Sequence, residues 1–205
     1  MKSAYPLTGG GFGSSVAVSG STVAIGEVLA WEPTKSTFWG GAVYVFQRTC
    51  VPQGACSWSQ QAMLSDPASK QDDKLGVSVA ISADTIVAGA MRDTLSAGPG
   101  AAYVFKRTGS TWAQEALLTA SNGEVGDRFG VAVGPSSDTI VVGARSESSA
   151  ATGVNGNQAD NSQGGTGAAY VYTRSLGVWT QQVSQAVRRE GGRRLAIRFQ
   201  RCSFR

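Results

Sequence analysis

Four carboxylates are the side chains of this sequence best suited to acid–base chemistry. The chain has 205 residues, with 14 Asp and Glu and no His, which excludes His-based catalytic triads and His-ligated metal centres. Two carboxylates can still hydrolyse a glycosidic bond without a cofactor. The candidates are Asp72, Asp73, Glu124 and Asp127. Solvated loop charges are the favoured interpretation, so the sequence predicts no catalytic residue, no cofactor and no enzyme.

The polar segment 145–166 is the best candidate for ligand binding. Tyr170 follows Gly143 by 27 residues, whereas Tyr103 follows Gly89 by 14 in an equivalent stretch. Side-chain oxygens in this insertion could form a weak cation or glycan site, and the favoured alternative is a solvated loop held by its own Asn and Asp turns. The ligand-face candidates are Asn155, Asn157, Asp160 and Asn161 in the insertion, with Asp93 and Asp127 in neighbouring loops.

The elements that would position these loops repeat three times along the chain. The copies GAVYVF, GAAYVF and GAAYVY occupy residues 41–46, 100–105 and 167–172. Each copy also has a Phe-Gly or Leu-Gly pair followed 14 residues later by another Gly, and 17 residues separate a Trp from the next such pair. Constant spacings indicate packed structure and variable ones indicate surface loops.

Each copy is predicted to form four strands. Alternation of Val with small residues after the Phe-Gly pair indicates a half-buried strand, and TVAIG, TIVAGA and TIVVGA are rich in β-branched residues. The copies lack the apolar spacing of a helix. A four-stranded unit that repeats in this way is typical of a propeller blade. The sequence therefore predicts an all-β fold.

The same segments resemble a known family. FGSSVAVSGSTVAIGE, LGVSVAISADTIVAGA and FGVAVGPSSDTIVVGA are similar to FG-GAP repeats, the units of the integrin α-chain β-propeller and of bacterial cell-surface proteins. The resemblance implies a non-catalytic adhesion or recognition module. Its ligands would bind the face that carries two kinds of loop: those between the second and third strands of a blade, and those between the fourth strand and the first strand of the next blade. The acidic calcium loop of integrin-type blades, which lies between the first and second strands, is missing here. The corresponding turns, residues 19–22, 82–85 and 134–139, are too short to supply enough oxygens for calcium. No metal site is therefore predicted.

The predicted architecture is a partial β-propeller of about three four-stranded antiparallel blades in an open arc. The repeats occupy residues 1–183, with blade units at about 9–64, 71–118 and 123–183. The family resemblance implies about seven blades in a closed ring, so the chain is expected to be a fragment of a larger repeat protein with a truncated N-terminus. Self-association through open blade edges is a further expectation.

Residues 184–205 form an Arg-rich tail outside the repeat. They contain seven Arg and one Glu, and three interpretations are open: a tail for nucleic acid or membranes, a solvated disordered end, or a frameshifted terminus. The frameshift is favoured, because the repeat pattern stops inside a strand at Ser184. The sequence thus predicts a disordered or irregular tail, no nucleic-acid partner and no membrane insertion, and the expected partner is an unidentified protein or glycan.

Two cysteines flank an insertion in the first copy. Cys50 and Cys56 lie at the neck of a predicted hairpin, where a local disulfide is plausible, and two free thiols are the alternative. The disulfide favours an extracellular or cell-surface location, although the chain has no apolar run long enough for a signal peptide.

Mid-strand aromatic residues recur in every copy. They are Tyr44, Phe46, Tyr103, Phe105, Tyr170 and Tyr172. These rings could stack on sugars, but packing between blades is the favoured role because each copy carries them in the same frame.

Overall fold

Three antiparallel sheets make up this protein in its computed structural model, which describes residues 1, 9–30, 40–52, 54–68, 72–92 and 98–186. The predicted all-β, three-bladed open fold is confirmed. The strands are β1 (Phe12–Ser19), β2 (Thr22–Glu27), β3 (Ala42–Cys50), β4 (Cys56–Leu64), β5 (Leu75–Ser82), β6 (Thr85–Ala90), β7 (Ala101–Thr108), β8 (Thr111–Leu118), β9 (Phe129–Ser136), β10 (Thr139–Ala144), β11 (Gly153–Val154), β12 (Ala168–Ser175) and β13 (Val178–Ala186).

In each sheet, strands that follow one another along the chain pair side by side. Blade 1 has the order β1-β2-β3-β4 and blade 2 the order β5-β6-β7-β8. Blade 3 has the order β11-β13-β12-β10-β9, so the short strand β11 of the insertion extends its outer edge. Neighbouring blades contact one another mainly through their first strands, with β5 packed against both β1 and β9.

The Phe-Gly or Leu-Gly pair forms a bulge at the start of each first strand. Gly13, Gly76 and Gly130 have φ angles of 92°, 91° and 92°, which are accessible to glycine at little cost. The pairing register of β5 with β6 shifts between Leu75 and Ser78 as a result. In blades 2 and 3 the pair therefore bends the chain at the point where it meets the preceding blade.

This bulge brings the backbones of two blades into direct contact. A Cβ atom on Gly89 would clash with the carbonyl oxygen of Gly130, and one on Gly26 would clash with that of Gly76. Ser78 reinforces the first contact, because its Oγ donates a hydrogen bond to the Gly130 oxygen at 2.7 Å. The recurring glycine of β2 and β6 is thus required by the packing of the next blade.

The aromatic stripes fill the spaces between blades. Tyr103 and Phe105 of blade 2 share a buried cluster with Val43 and Val45 of blade 1. Tyr170 and Tyr172 of blade 3 pack in the same way against the facing side of blade 2. These four residues are at most 3% exposed, so a sugar could not stack on their rings, and packing between blades is confirmed for them. Tyr44 and Phe46 are also buried, but they pack within blade 1.

The Arg near the end of the third strand makes polar contacts that recur from blade to blade. The Arg174 guanidinium stacks over the Trp179 ring at 5.2 Å from its centroid and forms ion pairs with Asp138 at 2.7 Å and with Glu115 of blade 2 at 2.8 Å. Arg107 likewise stacks over Trp112. Arg107 also donates hydrogen bonds to Thr22 and Gln47 of blade 1. In blades 2 and 3 the Arg near the end of the third strand therefore fastens its blade to the one before.

Cys50 and Cys56 are joined by a disulfide, with an S–S distance of 1.98 Å, across the hairpin of β3 and β4. The last strand, β13, continues to Ala186, although the sequence pattern departs from the repeat at Ser184. The rest of the predicted tail, residues 187–205, lies outside the described residues, and its irregular character stays a prediction. The described part of the chain contains no helix of the length and hydropathy needed to cross a membrane.

Candidate ligand site on the third blade

Two loops of blade 3 meet on the same side of the sheet. Residues 119–128 connect β8 to β9, and residues 145–167 connect β10 to β12 through β11. Tyr170 at the start of β12 donates a hydrogen bond from its hydroxyl to Asn122 Oδ1 at 2.8 Å. Asn122 in turn donates from Nδ2 to Glu147 Oε1 at 3.0 Å. Hydrogen bonds through the partly buried Asn122 side chain thus tie both loops to the core of the blade.

Glu147 is the buried acid at the end of this chain. Glu147 is 2% exposed, and its Oε2 atom has no hydrogen-bond partner among the described residues. Burial raises the pKa of the Glu147 carboxyl, and the charges of Asp127 and Glu124 raise it further. The space beside it, which Ser149 and Tyr170 also line, is too small to hold a water molecule.

Asp127 is a second buried carboxylate of the same loops. It is 5% exposed, and its Oδ2 accepts a hydrogen bond from the Glu124 backbone N–H at 2.7 Å. Burial raises the pKa of Asp127, and the negative charge of Glu124 adds to the shift. Asp127 therefore organises the turn before β9 from within.

The exposed rim of the site joins the two loops directly. Asn161 Nδ2 donates a hydrogen bond to Glu124 Oε1 at 2.6 Å, which links the insertion to the β8–β9 loop. Asn157 and Asp160 use their side-chain oxygens within the insertion, because they accept from the backbone N–H groups of Ala159 and Ser162, each at 3.1 Å. The hydrogen bonds from the hydroxyl and the backbone N–H of Ser162 lower the pKa of Asp160. The insertion is thus held partly by its own Asx turns.

The sequence candidates fall into three groups in the structure. Asn161 and Asp127 come together through Glu124, whereas Asn157 and Asp160 lie along the exposed insertion. Asn155, which is also exposed, has a positive φ of 54°. Asp93 lies outside the described residues. Nowhere in the described ranges do three or more Asp, Glu or Cys side chains gather in a way that could hold a metal ion.

The equivalent loops of blade 2 carry an ion pair where blade 3 has buried acids. Arg92 Nε lies 3.3 Å from Asp73 Oδ1, an ion pair in which these two atoms form no hydrogen bond with each other. The Tyr103 hydroxyl donates a hydrogen bond to Asp66 at 2.6 Å. Asp73 is 2% exposed and occupies the position of Asp127, two residues before the first strand. A buried carboxylate paired with a cation is suited to holding the loop in place.

Sequence reasoning missed Glu147, Asn122 and Tyr170 as one connected set. Glu147 stands in the Ser-rich start of the insertion, where its burial depends on a neighbouring loop rather than on any local pattern. Tyr170 was correctly assigned to packing, but its hydroxyl also anchors Asn122. The available signal was a carboxylate in the small-residue segment 146–153, which holds no other charged residue.

A second concavity lies between blades 1 and 2. It has a volume of about 260 Å³ and is lined mainly by apolar side chains, among them Met63, Leu64, Pro67, Phe105 and Trp112. Its polar lining consists of Ser65 and Gln114, and none of the described lining residues is charged. The groove therefore lacks the convergent polar groups that orient a specific small ligand.

Replacing Glu147 with Gln is expected to stabilise the protein at neutral pH, by on the order of 1 kcal/mol. The raised pKa means that the folded state holds the Glu147 proton more tightly than the unfolded chain does. Stability is therefore lost as pH rises from the unfolded pKa of about 4.5 through the folded one, and Gln removes this loss. Urea titrations at several pH values measure the difference, which should vanish in acid.

Asp160→Asn in the same loop is the matched control. The pKa of Asp160 is lowered by the hydrogen bonds from Ser162, so this substitution should give no gain at neutral pH. An equal stabilisation by both variants would contradict the burial argument for Glu147.

A comparison with protein families gives a match to the model described as FG-GAP repeat. It covers residues 58–105 and 112–172, more than half of the chain. The two matched segments begin at Trp58 and Trp112, so they span the last strand of one blade and the first three strands of the next. A comparison with curated proteins gives no match.

Proposed function

Because this chain belongs to the FG-GAP repeat family, we propose that it is a non-catalytic module that recognises a protein or glycan ligand at the cell surface or outside the cell. The ligand would bind where the insertion 145–166 meets the β8–β9 loop of blade 3. The observation that carries this proposal is the Asn161–Glu124 hydrogen bond, which holds an exposed polar loop against a second loop on a rigid sheet.

The four exposed Asn and Asp residues of the insertion, which we call the rim residues, suit a polar ligand. Asn155, Asn157, Asp160 and Asn161 are all exposed, and their amide and carboxylate groups can bind hydroxyls or peptide groups. Loops positioned by a rigid scaffold are the usual place for recognition. The disulfide between Cys50 and Cys56 supports an oxidising compartment.

The alternative, a carbohydrate-active hydrolase that uses loop carboxylates, has less support. Asp73 is buried and paired with Arg92. Asp127 is also buried, so neither of these two candidates offers an accessible acid to a glycosidic oxygen. Glu124 is exposed and Asp72 is partly exposed, and Glu124 already accepts the hydrogen bond from Asn161. The expectation that the chain is a piece of a larger repeat protein stays a prediction.

The proposal is tested by probing the full chain on a glycan array and on a panel of immobilised extracellular-matrix proteins. Binding should be lost when the four rim residues are replaced by Ala, because their side chains supply the contacts. The matched control carries Ala at four exposed Ser residues outside the two loops, namely Ser57, Ser59, Ser110 and Ser136, and should bind as the natural chain does.

Two results would overturn the proposal. One is binding that survives the rim substitutions. The other is hydrolysis of an arrayed glycan that disappears with Asp127→Asn, which would favour the hydrolase.

A further inference from the structure

The two interfaces between blades use the same three sets of contacts. In the first, the Gly76 carbonyl lies against Gly26. In the second, the Gly130 carbonyl lies against Gly89. A Val from the first strand of the later blade joins each buried cluster, as Val79 and Val133.

The third set is a hydrogen bond donated by the tryptophan near the start of the later blade's fourth strand. Trp112 Nε1 donates to Gln61 Oε1 of blade 1 at 2.8 Å. Trp179 Nε1 donates in the same way to Glu115 Oε2 of blade 2 at 2.9 Å. Each later blade thus provides a bulge, a Val and a Trp to the blade before it.

Blade 1 carries the residues equivalent to the bulge, the Val and the Trp that each later blade provides. We name this surface the donor face and define it by Gly13, Val16, Val18 and Trp58. Among the described residues, no atom lies within 4 Å of a Cβ placed on Gly13. Val16 and Val18, the equivalents of Val79 and Ile81, are each 68% exposed. Trp58 is 38% exposed, whereas Trp112 is 9% exposed.

Blade 3 carries the residues equivalent to those that receive these contacts in blades 1 and 2. We name this surface the acceptor face and define it by Val141, Gly143, Val171 and Gln182. Val141 and Val171 are partly exposed, although their equivalents in blade 2, Val87 and Val104, are fully buried. A Cβ on Gly143 would meet only Ala132 in the described part of the chain, with its nearest atom at 3.5 Å. Gln182 is exposed and occupies the position of Gln61 and Glu115.

We propose that the acceptor face of one chain binds the donor face of a second copy. The argument is continuity with an interface that this chain already forms twice, since the second copy would bring the same bulge, valines and tryptophan to the same places. Such a head-to-tail contact is heterologous, so repeating it produces either a closed ring or an open chain. Two copies joined at both ends would form a ring of six blades.

The acceptor face of blade 3 departs from the two interior interfaces at two positions. Ala132 stands where Ser15 and Ser78 donate hydrogen bonds to the next bulge. Gln185, which pairs with Ala169 in the sheet, stands in the register position of Leu64 and Leu118. The contact between copies is therefore weaker than the contacts within one chain, and it depends on concentration.

Sedimentation velocity on the full chain tests the proposal over roughly 1–500 µM, the range in which a weak contact populates. We expect reversible growth from monomer to dimer or longer species. Gly143→Val should weaken this association at least about tenfold, because the new side chain occupies the place of the incoming bulge. Gly164→Val is the matched control, since Gly164 has open space around it and lies in the insertion.

The donor face is tested in the same way. Val16→Asp should weaken association by a similar factor, whereas Val178→Asp, at a valine that is 62% exposed outside both faces, should leave it unchanged. The double substitution Ala132→Ser and Gln185→Leu restores the interior pattern and should tighten association. A chain that stays monomeric throughout, or association that ignores the Gly143 and Val16 changes, would refute the proposal.

Discussion

Replacing Gly89 with Ala is expected to destabilise the fold by about 3 kcal/mol or more. The new Cβ would lie against the Gly130 carbonyl oxygen, and backbone on both sides of the contact leaves it nowhere to move. Relief would require separating blades 2 and 3, which would expose the cluster around Phe129 and Tyr170. The free energy of unfolding, measured by urea titration with tryptophan fluorescence, gives the size of the effect.

The repeat supplies a matched control at Gly143. This residue occupies the same strand position, but a Cβ there meets only Ala132 within 4 Å among the described residues. Gly143→Ala should therefore change the stability of the dilute monomer by no more than about 0.5 kcal/mol. Similar losses at both positions would show that glycine is needed for the strand itself and not for the contact between blades.

Phe129→Ala is the second substitution for which we expect a large loss, about 3–5 kcal/mol. Phe129 is fully buried, and its ring meets those of Tyr170 and Tyr172 edge-on at 5.4 and 6.2 Å between centroids. Removing the ring would leave a cavity between blades 2 and 3 that their sheets cannot close. Thermal and urea unfolding both report the loss.

Two further variants separate size from chemistry. Phe129→Leu should cost less than about 1.5 kcal/mol, because Leu75 fills the equivalent place in blade 2 and is 1% exposed. Phe12→Ala should also cost less than Phe129→Ala, since Phe12 is only partly buried. An equal loss from Phe12→Ala and Phe129→Ala would mean that the ring stabilises its own blade and not the interface.

The repeat was readable from the sequence because its spacings are fixed by contacts. The 14 residues from Leu75 to Gly89 join the bulge that meets the preceding blade to the glycine that meets the next one. This spacing cannot change without breaking one of the two backbone contacts. The insertion 145–166 is free of both contacts, so its length could vary and was correctly assigned to a loop.

The candidate site was less predictable, because its central contacts join distant segments. Asn122 and Glu147 are 25 residues apart, and Tyr170 and Asn122 are 48 apart. Composition alone marked the exposed Asn and Asp of the insertion. It gave no sign that Glu147 would be enclosed, since this depends on how the β8–β9 loop lies over the start of β12.

The position of β5 between β1 and β9 has a consequence for the motions of the protein. In the described part of the chain, blade 2 packs against blade 1 on one side and blade 3 on the other, so local opening resembles the fraying of a linear array. Opening blade 2 means breaking two interfaces at once. Among the described residues, blades 1 and 3 each form one such interface. The amide hydrogens of blade 2 are therefore the slowest to exchange with solvent, and the candidate ligand site lies on a blade that opens more readily.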